Sequence, residues 1–480
     1  MKKSNNSLLI LKIFRIFIYI LPAVLYFSYY PLIHFGSSES MNFEISLPLI
    51  WLVSFDLVSF FILLKRKLLS GILKKWVWLL FPLFLSASVL WSLNSLRGIF
   101  TVLILWLIYF MVYAIFSLKS LFKEVGFREI FWKIFIGSAL FICFMCFLQC
   151  VLDLVGVGRE YTLMCSGCTY SMFGFPHPNG FSIEPQFMGN LLLAPAIVTE
   201  MYLLKKRNDE NYSDSRFLCP KFLLFCFFVF TSTLFLTFSR GAIYSFLVSA
   251  VFLFAFLIVR ERDELKKVSK RVGVVFGVIV LAFLFTLNLQ GIFSEVSKTD
   301  DTYMTGVSKA IDHLSLGLID FTNSDVKSGD VSDDEKETET AVFSGYVEES
   351  TNVRLKLSDL ASKVWTKDFR TMMFGVGIGG AGQSLYVNGL AETPKEIIQN
   401  QYMSLLLEVG IVGILLFILT LALIIRAVLK SSISPLILAL MVGYGVSLCF
   451  FSGLPNALQI YLLPVVIMAV GDDKFCLGLV

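Results

Sequence analysis

Charge is the scarcest ingredient of this 480-residue sequence. Only 16% of it is Asp, Glu, Lys or Arg, where a soluble chain carries about a quarter. Hydrophobic residues make up 56%, and the mean hydropathy is +0.77. They come in long blocks with few polar turns inside them. That excludes a soluble globular protein and leaves an integral membrane protein. The net charge of +4 adds little, because the charges are segregated by side of the membrane. Of the nine cysteines, Cys143, Cys146, Cys150 and Cys226 lie inside apolar blocks, where they serve as small apolar side chains. A cleavage site of small residues is also lacking: Met1 to Tyr30 is basic and then apolar, and ends in Tyr26 to Tyr30. This block is therefore expected to be a first membrane span. No internal repeat is visible, and no matched pair of broken helices in two halves.

Blocks of about 17–25 mostly apolar residues fit the hydrocarbon core as helices. About twelve are present, near 8–28, 45–64, 75–92, 97–117, 132–156, 183–204, 217–237, 241–259, 272–291, 402–426, 433–452 and 455–471. Backbone polar groups in lipid must be satisfied internally. The expected fold is thus an all-α integral membrane protein of about twelve transmembrane helices, with one long extracytoplasmic loop containing an amphipathic helix. Basic residues set orientation. They begin the chain at Lys2 and Lys3 and recur at 65–75, 119–133, 205–216, 260–271 and 426–430, in every second connection. Both termini are then cytoplasmic, and 29–44, 157–182, 239–241, 292–401 and 452–455 face outward. The organisation expected is helices one to nine over 1–291, the large outer loop over 292–401, and helices ten to twelve with a short cytoplasmic tail over 402–480. The loop is acidic over 325–350, a run poor in large apolar residues. Residues 352–365, "NVRLKLSDLASKVW", have apolar positions at helical spacing and are expected to form an amphipathic helix on the membrane or on the other spans.

An ionisable group at a bilayer boundary is costly unless paired or hydrated, so each one is a functional candidate. Outside the long loop the outer face carries Arg97, Arg159 and Arg240; Arg354 opens the amphipathic helix within it. Snorkelling to headgroups accounts for Arg97. Arg240 differs, because it lies in "TFSRGAIYS", where Ser239 and Gly241 demand a tight turn at a helix N-terminus. Arginine and the N-terminal donors together suit a phosphate or pyrophosphate. Glu184 stands at the mouth of the sixth span before Pro185; it is either a dipole partner, a contact for a substrate hydroxyl or a general base. His177, in "FPHPNG", is either solvated or catalytic. Cys165 and Cys168 form "CSGC" on the outside, where a small disulfide loop is one reading; a metal there would need two more ligands, and only His177 is near. "FGVGIGGAGQS" (374–384) contains G-x-G-x-x-G but lacks the strand-turn-helix context of a dinucleotide site. Gly375, Gly377 and Gly379 instead form a tight loop, or let backbone approach a phosphate or sugar. Asp56 is the clear acid within a span, expected to hydrogen-bond a neighbouring helix.

Three stretches together resemble the bacterial O-antigen polymerase and O-antigen ligase superfamily. "LTFSRGAIYSFLVSAVF" (236–252) is similar to its serine-arginine-glycine turn. "FGVGIGG" (374–380) with "NQYMSLLLEVGIVGILLFI" (400–418) is similar to the end of its large periplasmic loop and the next span. "GFSIEPQFMGNLL" (180–192) is similar to the segment that opens a span in many polymerases. The resemblance covers roughly 130–470. It implies transfer of a glycan carried on undecaprenyl pyrophosphate to a sugar hydroxyl at the outer face of the bacterial inner membrane, without metal or nucleotide cofactor and with no nucleic acid partner. Arg240 and Arg354 take the role of the family's pyrophosphate-binding arginines, with Arg159 a further outer-face arginine. The glycine loop with Gln399 and Asn400 closes the sugar site. Where ligases carry a histidine before the asparagine, this sequence has Gln399, which cannot accept a proton. That favours a polymerase, with Glu184 or His177 as base, working beside a flippase and a chain-length regulator. The alternatives are a ligase transferring the polymer to lipid A core and a flippase or other transporter.

Overall fold

The computed structural model describes residues 2–28, 31–38, 41–73, 76–122, 125–157, 177–182, 184–204, 219–262, 265–296, 302–315, 349–394, 396–453 and 457–471. Arg159, Cys165 and Cys168 lie outside the described residues, as does most of the acidic run.

Every expected apolar block coincides with a helix. In chain order the helices are α1 (Lys2–Leu25), α2 (Leu47–Lys65), α3 (Ser70–Leu73), α4 (Trp76–Ser88), α5 (Ser95–Ser117), α6 (Val125–Leu154), α7 (Pro185–Leu204), α8 (Pro220–Leu236) and α9 (Arg240–Arg260). Then come α10 (Leu265–Val296), α11 (Tyr303–Ser315), α12 (Glu349–Trp365), α13 (Phe369–Phe374), α14 (Ala381–Val387), α15 (Gln401–Val428), α16 (Ser434–Ser447) and α17 (Leu458–Gly471). Local chemistry starts several of them. Prolines fill the first turns of α2, α8 and α16, where their missing N–H is no loss. Asn94 caps α5 by accepting from the Arg97 N–H at 3.1 Å. By length and composition α2, α5, α6, α7, α9, α10 and α15 can each cross a membrane, and the stretch Trp76–Trp91, α8, α16 and α17 are shorter apolar helices. The chain is a membrane protein.

Four features depart from expectation. Residues expected as a plain loop between the first two spans include an antiparallel hairpin, Pro31–Ser38 with Met41–Ser46, in register at Phe35 and Phe43. α6 and α10 extend past their apolar blocks into basic flanks, because Lys and Arg are good helix formers whose stems lie along apolar surface. The hydrophilic segment holds an unexpected helix, α11, in addition to α12. Asp56 is 5% exposed, and neither carboxylate oxygen has a hydrogen-bond partner among the described residues, so the bond expected to a neighbouring helix is not made.

α7 is the most buried of the membrane-length helices: 83% of its apolar window is buried, against 28% for α10 and 22% for α15. It packs on α8, α9 and α16, and α9 lies along α16. A second apolar cluster joins α4, α5 and α15 through Trp78, Leu85, Leu105 and Leu405. α12 rests on α15, burying Leu357, Ala361 and Val364 beside Leu407, so it lies on the other helices. Long-range contacts gather the ends. Phe27 stacks on Phe181 at 4.9 Å, Gln149 pairs with the Gly180 backbone at 2.8 and 2.9 Å, and Gln401 N–H donates to Leu448 O at 2.9 Å. At the opposite end, Arg271 donates to Leu204 O and meets Glu261 at 2.7 Å.

Candidate functional site

The chain reverses between α8 and α9 in very few residues. Thr237 Oγ1 turns back onto Leu234 O at 2.7 Å, Phe238 takes φ 48°, and Ser239 is extended and accepts from the Ile243 N–H at 2.9 Å as α9 begins. Positive φ thus falls on a phenylalanine, and Gly241 is helical. Gly241 is needed for a different reason: a Cβ there would stand 2.8 Å from Phe450 Cβ and 3.0 Å from Gln186 Nε2. Arg240 is the first residue of α9 and only 7% exposed. Its charge acts on Tyr244, one turn along.

Gln186 is a residue the sequence reading passed over. It is 8% exposed, and its Nε2 is buried without a hydrogen-bond partner among the described residues. An unmet buried donor costs about 1–3 kcal/mol. Here it sits where α7 meets the N-terminal turn of α9, which itself favours an anion.

Glu184 begins the same helix, its carbonyl accepting from Phe187 and Met188 at 3.1 and 3.2 Å. The carboxylate keeps an exposed edge, yet apolar surroundings raise its pKa above the ordinary carboxylate value, opposed by the positive charge of Arg354. Arg354 donates from Nε to Gln399 Oε1 at 2.6 Å. The structure therefore brings Glu184, Arg354 and Gln399 together, with Gln399 spent on the arginine. Asn400 Oδ1 caps α15, accepting from Tyr402 and Met403 at 3.0 and 3.2 Å. Ser452 donates to Gln401 Oε1 at 3.3 Å. This ties the start of α15 to the segment whose Phe450 packs on Gly241.

His177 is half-buried and stacked on Phe238, ring centroids 5.4 Å apart and 18° from parallel. A second histidine, His313 on α11, reaches the Phe238 carbonyl through Nε2 at 3.1 Å. Its helix could have been read from Met304, Val307, Ile311 and Leu314, which share a helical face.

The glycine loop goes elsewhere. Gly375, Gly377 and Gly379 have φ of 72°, 88° and 78°, and the close approach they permit is to protein backbone. A Cβ on Gly377 would stand 2.3 Å from Ser92 Cα, and one on Gly375 2.3 Å from the Glu408 carbonyl. Ser92 Oγ donates to Ile378 O at 2.8 Å, and Gly377 N–H to Glu408 O at 2.9 Å. The Glu408 carboxylate, 8% exposed, accepts from Ala381 N–H at 3.4 Å and feels the charge of Arg97. Arg97 therefore lies close enough to act on the Glu408 charge. α15 kinks at Gly410 (φ 62°) where it receives the loop.

No curated protein matches the chain. Residues 225–418, from α8 through the hinge and the hydrophilic segment into α15, match a family model described as O-antigen ligase. The match covers less than half of the chain and supports the O-antigen ligase and polymerase superfamily, whose members are membrane glycosyltransferase-like enzymes, without separating its two activities.

Proposed function

We propose that the protein joins oligosaccharide repeat units carried on undecaprenyl pyrophosphate, at the outer face of the bacterial cytoplasmic membrane. The observation that carries this reading is the buried Arg240 at a helix N-terminus, with the unmet Gln186 donor beside it, at one end of an apolar bundle. Such a place suits the phosphates of a lipid whose tail lies among the helices. The donor's bond between anomeric carbon and pyrophosphate oxygen breaks. The acceptor unit's hydroxyl oxygen forms the new glycosidic bond, its proton passes to the Glu184 carboxylate, and undecaprenyl pyrophosphate leaves. Arg240 neutralises the charge that grows on the leaving oxygen. Arg354, steadied by Gln399, adds a second cation beside Glu184. A raised carboxyl pKa brings Glu184 closer to the strength a base needs near neutrality. The reaction as written takes no cofactor beyond the lipid-linked substrate. A flippase supplying the units and a chain-length regulator are its expected partners.

A ligase is the second reading, favoured by the description of the matched family. Surface glycan from a deletion strain separates the readings. Single repeat units on the core support a polymerase. Absence of attached glycan with accumulated lipid-linked polymer would make the protein a ligase, and units trapped inside would make it a flippase. Sidedness has its own check: impermeant thiol labelling from outside should reach a cysteine placed at Ser332 and miss one placed at Ser269.

A further inference from the structure

The hinge is held by a helix from the hydrophilic segment. The last turn of α11 bonds to it twice. His313, 5% exposed, approaches the Phe238 carbonyl at 3.1 Å through Nε2. A carbonyl only accepts, so Nε2 carries the proton of this bond. Tyr244 donates its hydroxyl proton to Leu314 O at 2.6 Å. These bonds fall on either side of Arg240 in the chain. The His177 ring lies against Phe238, and the His313 ring stands 6.4 Å from it, tilted by 48°. Two of the chain's three histidines therefore grip one phenylalanine.

That phenylalanine needs gripping. With φ at 48° it occupies a region that a side chain with a Cβ disfavours. Such a conformation persists only where its surroundings over-determine it. The torsions at Phe238 set the direction in which Ser239 and Arg240 leave α8. An arginine that meets charge only in the transition state must be aimed beforehand.

We propose that His313 is a positioning residue for Arg240. Its Nε2–H clamps the Phe238 carbonyl and so fixes the aim of the guanidinium at the donor pyrophosphate. This rests on the reading of Arg240 as the pyrophosphate ligand.

The test is steady-state polymerisation by purified full-length protein, with lipid-linked repeat units as substrate and thermal unfolding in detergent beside each assay. His313→Phe keeps a ring and removes the donor. Its kcat should fall about 10–100-fold with little change in KM. His313→Gln retains an N–H donor and should recover most of the rate. The double variant His313→Phe/Arg240→Lys should be no slower than Arg240→Lys alone, because the effect passes through Arg240. If His313→Phe does not fold, His313→Leu takes its place. A normal rate per folded molecule without the donor, or a glutamine variant as slow as the phenylalanine one, overturns the proposal. So does a double variant slower than Arg240→Lys by the full single-variant factor, which leaves the role of Arg240 standing. A fully active Arg240→Lys enzyme strikes the pyrophosphate reading itself, and this proposal with it.

Discussion

The hinge at 237–241 and the glycine loop at 375–380 look alike on paper: short, with glycine and a tight turn, each leading into a helix. In space they are opposites. The glycine loop is saturated by the protein's own groups, since Ser88, Ser92, Glu408 and the kinked α15 take its backbone on every side. At the hinge, Arg240 is buried beside a Gln186 donor that no described group meets. Glycine spacing reports that something comes close, but not what. A buried arginine and amide at a helix N-terminus point more directly to an anion.

The largest effect that could break this contrast is Arg240→Lys. A point charge replaces a bidentate fork, so polymer formation at equal protein level should fall about 100-fold or more; a normal glycan ladder would undo the reading of the hinge. Gly377→Ala should act through the fold instead. A Cβ would strike Ser92 Cα at a backbone angle that alanine disfavours, costing about 2–4 kcal/mol. The melting midpoint should drop while activity per folded molecule stays near normal, and a soluble, stable, inactive variant would return the loop to the list of ligand contacts.

Glu184 sharpens the hinge side. Its pKa is raised by burial and pulled down by Arg354, so the carboxylate fails on acidification sooner than an ordinary one. Activity should fall on the acid side at a pH above the usual carboxylate range. In Arg354→Gln the restraining charge is gone, and the acid limb should move further up in pH. An acid limb that stays where it was, or moves down, removes Glu184 as the titrating group; so does a fully active Glu184→Gln. The smallest effect is Gln399→Ala, which frees Arg354 without removing a proton acceptor. About a three- to tenfold loss is expected, measured with the same lipid-linked units, and Gln399→Glu should soften that loss by keeping an acceptor for the Arg354 Nε–H.

The helices were legible because hydropathy writes them directly, and the serine-arginine-glycine turn was legible because arginine is so costly between two apolar blocks. Helix limits were harder: residues 265–271 are polar yet helical, their charges carried on long stems. Glu408 escaped notice because an acid in the second turn of an apolar helix reads as a flank until Arg97, far away in sequence, is brought to it. His313 was hidden for a similar reason. The helical face of α11 is legible in Met304, Val307, Ile311 and Leu314, but only the fold reveals that Gly306 lets this helix settle onto Ser294 of α10 and that His313 reaches Phe238. The opposing roles of Gly241 and Phe238 could not be assigned from types alone, since the glycine invited the positive φ that the phenylalanine holds.

The hydrophilic segment holds to the bundle on both sides of its middle: α11 at Phe238 and Tyr244, and α12 through Leu357, Ala361 and Val364 beside Leu407 of α15. Each grip belongs to a different side of the stretch between Ser315 and Glu349, and neither uses a residue from it. The protein is in this respect a two-piece assembly written on one chain. A single protease cut, or an inserted epitope, between those helices should leave both halves clasped to the membrane bundle. Two co-expressed fragments split there should reassemble a working site, whereas a split between α8 and α9 should not.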